Sequence, residues 1–231
     1  MTAAATLRAV IFETLGDAPG RTLEGQFMLW CAAPRFRTFA ATYADKIRKK
    51  LRVVRDGEGL RDVQLELEVA ARLLRDRRFA VEYETHATSG RRHPDLTVRF
   101  REGAVLHLEV KRVRTVEADL EAKCAEVICE AVPQLVPNAL NVIAIALSEE
   151  RAPVVDMARA LRALRARAER KDEGYFQRRG YVDARAFLHG YSRLNAVIVL
   201  GAQEAGTGRN PLARLQLSSA LDRALAAALS P

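Results

Sequence analysis

The chain of 231 residues is 49% apolar and 29% charged, a balance that describes a folded protein rather than a disordered one and leaves room for one domain with extensions. Its formal net charge of +8 and pI near 9.8 favour a polyanionic partner, although an arginine-rich composition produces the same figure without one. Cys31, Cys124 and Cys129 have neither zinc-ligand spacing nor a paired framework, no apolar run reaches the length of a membrane span, and Met1 to Thr14 has no basic start leading into a long apolar stretch, so a cytoplasmic protein without zinc or a membrane partner is expected.

Residues 1 to 60 read as helical. Leu7, Val10, Ile11 and Leu15 form a stripe that Gly16 and Pro19 end, and a second helical stretch runs from Leu23 through Cys31 to Pro34. Between Arg35 and Arg55 eight Lys or Arg face a single acid, Asp45. That is either a solvated helix face or an arm that meets phosphates. From about Asp62 to Asp76 the stripe Val63, Leu67, Ala70, Ala71 and Leu74 predicts a helix, with Glu66 nearer the buried side than Glu68. Phe79, Val81 and Tyr83 alternate with polar residues and predict the first strand. The polar stretch His86 to His93 is a loop whose Arg91 and Arg92 are placed to meet phosphates, while His93 receives no role.

Two period-2 segments follow, His93-Pro94-Asp95-Leu96-Thr97-Val98-Arg99-Phe100 and Val105-Leu106-His107-Leu108-Glu109-Val110-Lys111-Arg112. They predict a hairpin in which Asp95, Glu109 and Lys111 share the polar face. A two-residue turn at Glu102-Gly103 would set Leu96 beside Glu109 and mix the faces, whereas a three-residue turn, Glu102-Gly103-Ala104, pairs Asp95 with Lys111, Thr97 with Glu109 and Arg99 with His107. The latter is expected. His107 lies deeper in the sheet, where packing under a helix outweighs catalysis. Two carboxylates and an ammonium converging at a strand end suit Mg²⁺ (or Mn²⁺), a hard cation that needs few protein oxygens because it keeps waters and takes one from a phosphate. Glu-x-Lys alone is common on solvated strands, so the weight falls on the whole arrangement.

Pro94-Asp95, a hairpin's length and then Glu109-Val110-Lys111 resemble the motif of the PD-(D/E)xK nuclease superfamily, over roughly residues 60 to 147. The resemblance implies an α/β fold with a restriction-endonuclease-like core: a central mixed sheet, made of an antiparallel three-strand meander plus further strands, flanked by helices. Residues 1–60 would be a helical N-terminal extension and 61–231 the nuclease domain, with a basic helical insertion near 151–192. It implies metal ligation by Asp95 and Glu109 with the Val110 carbonyl, positioning of water by Lys111, support from Glu66, and a substrate-orienting glutamine matched by Gln134, unless Pro133 has already ended its helix.

Val116, Leu120, Cys124, Val127 and Ala131 predict a helix covering the sheet, and the nearly unbroken apolar run Leu140 to Leu147 a strand buried on both faces. A helix from about Val154 to Lys171 lies in a segment, Arg151 to Arg179, with nine basic residues against four acids. Tyr175, Phe176, Tyr181 and Tyr191 near these charges suit base stacking or anchoring to the core equally. Leu194 to Leu200 predicts another buried strand, Gly201 to Asn210 a flexible turn, and Ser219 with Asp222 the cap of a helix ending near Leu229. There is no Walker loop, dinucleotide fingerprint or repeat. The leading expectation is a metal-dependent nuclease acting on nucleic acid, DNA foremost, in defence or repair, with a second copy of the chain, as a homodimer, a candidate partner; the alternative is a non-catalytic nucleic-acid-binding or regulatory protein that retains the fold.

Overall fold

The computed structural model describes residues 3–16, 20–84, 94–101, 103–114, 119–147, 155–200 and 207–230. Four short helices open the chain: α1 (Ala3–Leu15), α2 (Glu24–Cys31), α3 (Pro34–Thr42) and α4 (Ala44–Val53). Gly16 ends α1 at φ 62°, a left-handed conformation that glycine adopts without the Cβ penalty. Helix α5 (Gly57–Arg75) begins before the expected Asp62 because the Asp56 carboxylate accepts the Gly59 amide at 2.7 Å and caps an extra turn. Its stripe Val63, Leu67, Ala70, Ala71 and Leu74 is buried as the spacing required.

Six strands form one mixed sheet in chain order: β1 (Phe79–Tyr83), β2 (Leu96–Phe100), β3 (Ala104–Val113), β4 (Leu140–Leu147), β5 (Leu194–Leu200) and β6 (Thr207–Arg209). The first three form an antiparallel meander, β3, β4 and β5 run parallel, and β6 returns antiparallel. Helices cover both faces. Residues of α1 to α5 and α10 (Ser219–Leu229) share one core with Val142, Ala144 and Ala146 of β4, whereas α6 (Leu120–Ala131), α7 (Met157–Glu169), α8 (Glu173–Gln177) and α9 (Ala184–Tyr191) pack with Ile143 and Ile145 of the same strand. That division explains the unbroken apolar run: successive side chains enter different cores, so none can be polar without a partner. Asn141 is the exception and is fully satisfied. Its side-chain amide donates to the Val136, Ala139 and Arg193 carbonyls, and its backbone N–H donates to Asn195 Oδ1.

The hairpin departs from the expected register. Phe100 pairs with Ala104, Leu96 with Leu108 and Thr97 with His107, so the turn comes one residue earlier on each arm than Glu102-Gly103-Ala104 predicts. Arg101 enters the left-handed region at φ 50° and leaves the pairing with β3 there, while its amide still donates to the Arg78 carbonyl on the β1 side. The displacement is by two in pairing, so it preserves both faces. Thr97 therefore opposes His107 rather than Glu109, Arg99 opposes Val105 rather than His107, and the position facing Asp95 becomes that of Glu109 rather than Lys111.

Other boundaries move for local reasons. Asp119 and Asp156 cap α6 and α7, accepting from Ala122 and Arg159 amides, so these helices start at Leu120 and Met157; Val116 and Val154 lie outside the described residues. Thr207 to Arg209, expected to be a turn, forms β6 on the edge of β5. Ser218, not Ser219, caps α10 by accepting the Leu221 amide, and Asp222 instead pairs with Arg209. Tyr175, Phe176 and Tyr191 are buried, and with Tyr181 and Phe187 they build an aromatic cluster, Phe187 stacking on Phe176 at 4.6 Å and on Tyr191 at 5.2 Å. They anchor α8 and α9 and are not exposed for base stacking. Among the described residues no helix is long and apolar enough to cross a membrane.

Candidate active site

Strand β3 outruns β2. Its last pairing with β2 is Leu108 with Leu96, so residues 109 to 113 have β4 on one side and no β2 ladder on the other. At this gap the Val110 N–H would lack a partner. The Asp95 carboxylate supplies one, its Oδ2 accepting from Val110 N at 2.9 Å, while the Asp95 carbonyl accepts from Glu84 N at 3.0 Å. Asp95 is thus fixed by backbone on both sides, in the turn that precedes β2. Because the sheet is incomplete here, groups from its two faces meet: Glu66 and Tyr83 from the α5 side, Glu109 and Lys111 from the α6 side.

Glu66 is only 6% exposed and lies against the sheet, as its place beside the apolar stripe implies; Glu68 pairs with Arg72 at 2.6 Å. Glu66 Oε2 accepts from the Tyr83 hydroxyl at 2.7 Å and from Lys50 Nζ at 2.7 Å. Glu109 is 1% exposed. Its Oε1 accepts from Lys111 Nζ at 2.5 Å, and its Oε2 is buried with no hydrogen-bond partner among the described residues. An unpaired carboxylate oxygen in the interior is costly unless something cationic or protic meets it. Burial, reinforced by the charge of Asp95, raises Glu109 to about 7 against the pull of Lys111 and Lys50, and burial and Asp95 raise Glu66 to about 8 against the pull of Lys50.

A cavity of about 660 Å³ opens at this end of β3 between α5 and α6. It is lined by Glu66, Asp95, Val110, Lys111 and Gln134 among others, with Asp62, Glu126 and Glu130 against Arg112, Arg114 and Lys123. Acids outnumber bases here by five to four, and all four bases are already engaged: Arg112 and Arg114 pair with Asp62, Lys123 with Glu126 and Lys111 with Glu109. The lining is thus nearly balanced in charge, with its cationic groups held by acids rather than turned to the cavity as free phosphate ligands. Gln134 reaches it from a 3₁₀ turn, Val132–Gln134, that continues α6 through Pro133. Arg91, Arg92 and His93 lie outside the described residues.

Two features depart from expectation. Among the described residues, none from either basic segment lines the cavity. Within 35–55, Arg35 donates to the Leu74, Asp76 and Phe79 carbonyls, Lys46 to the Tyr83 and Glu84 carbonyls and Arg48 to Glu13, so much of the arm serves the fold. Within 151–179, Arg159, Arg162, Arg165 and Arg167 pair with Glu121, Asp156, Glu169 and Asp172. The second feature is Lys50, whose Nζ lies 2.7 Å from Glu66, 2.9 Å from Glu84 and 3.6 Å from Asp95. Its only trace in the sequence is its position on α4 beside the buried Ile47 and Leu51. His107 is buried, its Nδ1 3.2 Å from the Thr97 hydroxyl, in the packing position expected.

Among the described residues no three His, Cys, Asp or Glu side chains converge tightly enough to hold a metal ion as they stand. Lysine ammonium groups stand among the carboxylates instead. The donor chemistry nonetheless fits Mg²⁺: oxygen ligands only, two of them on Asp95 and Glu109, one of the Glu109 oxygens unspent. No protein-family model, curated protein or solved structure matches the chain.

Proposed function

We propose that the chain is a Mg²⁺- or Mn²⁺-dependent nuclease of the PD-(D/E)xK type, with a restriction-endonuclease-like core, that hydrolyses phosphodiester bonds in nucleic acid, DNA foremost. The observation that carries the reading is the Glu109 Oε2, buried with no hydrogen-bond partner among the described residues, next to Lys111, which with Asp95 lines the cavity. Asp95 and Glu109 would hold the ion, with Glu66 at its margin. Bound there, it supplies the positive charge that lets an anionic phosphate enter and that acidifies a water.

The chain's own residues divide the remaining work. Asp95 is immobilised by Val110 N and Glu84 N, so its carboxylate is already held in place to serve as a ligand through Oδ1, the oxygen that Val110 does not use. Lys111, tethered to Glu109 and lining the cavity, orients the attacking water and offsets charge building on the phosphate. Arg112 joins Glu58 and Asp62 of α5 to the end of β3, which keeps Glu66 and Glu109 in fixed relation. Gln134 faces the same cavity and has donors and an acceptor for a base or sugar.

The test is incubation of single- and double-stranded DNA and RNA with the protein in Mg²⁺ or Mn²⁺, beside Asp95→Asn. Metal-dependent cutting that the variant lacks is the expected result. Salt-sensitive binding of DNA without cutting would favour the non-catalytic reading.

A further inference from the structure

We propose that Lys50 is a built-in counter-cation that occupies the ligand oxygens of Glu66 and Asp95, so that divalent metal enters this site only by displacing it. The inference rests on the metal-site reading above and adds a residue which that reading does not use.

The geometry is that of a small cation among acids. A single ammonium touches Glu66 through both oxygens, at 2.9 and 2.7 Å, and reaches Glu84 at 2.9 Å and Asp95 at 3.6 Å. These carboxylates come from α5, from the residue after β1 and from the turn before β2, so only the tertiary fold assembles them. A surface ion pair would not need three partners, and a buried one is normally matched charge for charge. Here three carboxyl groups meet one lysine, a set of oxygens from three separate elements around a single cationic position, which is the arrangement that a divalent ion would use in its place. The remainder of Lys50 is also built for the position. Its ammonium lies 5.5 Å from the centre of the Tyr83 ring, and Lys46, one turn earlier on α4, donates to the carbonyls of Tyr83 and Glu84. Lys46 thereby pins α4 against the end of β1 and holds Lys50 over the carboxylates, and the flexible four-carbon stem of Lys50 allows the head group to leave without moving the helix.

Lys50 and the metal then compete for Asp95 and Glu66, and the protein's affinity for metal is lower than its acidic cluster alone would give. Without Lys50 the carboxylates keep their positions through Val110 N, Glu84 N and Tyr83 Oη, but lose their resident cation.

Two measurements test this on the whole chain. Calorimetric titration with Mn²⁺ should give a dissociation constant at least about tenfold lower for Lys50→Met than for the parent. In the parent itself, reductive methylation read by mass spectrometry should find Lys50 protected without metal and reactive once Mn²⁺ saturates, which needs no variant to fold. If the parent binds Mn²⁺ in an Asp95-dependent manner but Lys50 reactivity does not change, or Lys50→Met binds no more tightly, Lys50 is a structural partner only and the inference fails while the metal site stands. If neither the parent nor Lys50→Met binds Mn²⁺, the metal-site reading fails and takes the inference with it.

Discussion

Asp95→Asn preserves the volume of the side chain and an oxygen to accept from Val110 N, yet removes the charge that a hard cation needs. Metal affinity and cleavage should therefore fall together, cleavage by about a hundredfold or more, while the melting temperature changes little; calorimetry, a cleavage assay and a thermal melt check the three parts. Lys111→Ala should separate what Asp95→Asn joins. Both carboxylates remain, so Mn²⁺ should still bind, but the group that orients water and phosphate is gone and turnover should drop by about 10²- to 10⁴-fold at saturating metal. Tyr83→Phe bears on the neighbouring carboxylate. It deletes the donor to Glu66 Oε2 inside the core and should cost about 1–3 kcal/mol in urea unfolding. Of these residues, Asp95, Glu109, Lys111 and Glu66 were legible because period-2 and helical spacing fix the face on which a side chain lies. Lys50 was not, since its partners are 16, 34 and 45 positions away and no local pattern encodes them.

At the level of elements, the long apolar strands and amphipathic helices follow from the sequence because burial of one face or both is a repeated demand that many residues answer at once. Turns answer to one or two residues. The hairpin register hangs on Arg101, whose left-handed backbone no propensity rule assigns to arginine, and β6 was missed because three residues, one of them Gly208, carry no period. The aromatic cluster of α8 and α9 illustrates a further limit, since aromatics beside arginines look alike in sequence whether they stack on bases or on one another. Phe187→Ala should settle its character: a loss of about 3–5 kcal/mol in denaturant unfolding, with affinity for DNA unchanged among molecules that remain folded. A loss of DNA affinity in the folded fraction would return the cluster to the binding surface.

For the molecule as a whole, the raised Glu66 and Glu109 link folding, metal and pH. Both carboxyls hold their protons more tightly in the folded state than in the unfolded chain, from an ordinary value of 4.5 up to about 8 and about 7. The folded state thus binds more protons between pH 4.5 and 8, and metal-free stability should fall as pH rises through that window. Metal takes the ionised form, so affinity for Mn²⁺ should climb over the same range with protons released on binding, and saturating Mn²⁺ should flatten the stability profile. Denaturant melts at pH 5 and pH 8, with and without Mn²⁺, measure both trends; metal-free stability that rises with pH would contradict the assignment.

The way Arg35 and Lys46 seat themselves on the carbonyls of Phe79 and Tyr83 has a bearing beyond this single chain. β1 is the first strand of the sheet, and alternation along an antiparallel pair turns those two carbonyls away from β2, toward whatever approaches from outside. An unclaimed row of such groups is a template on which a strand from another molecule can add, and addition repeated becomes a fibre. Two side chains from the amino-terminal helices occupy it in advance. Two of the eight basic residues between 35 and 55, which look in sequence like an invitation to nucleic acid, thus stand where a strand of another copy would have to pair.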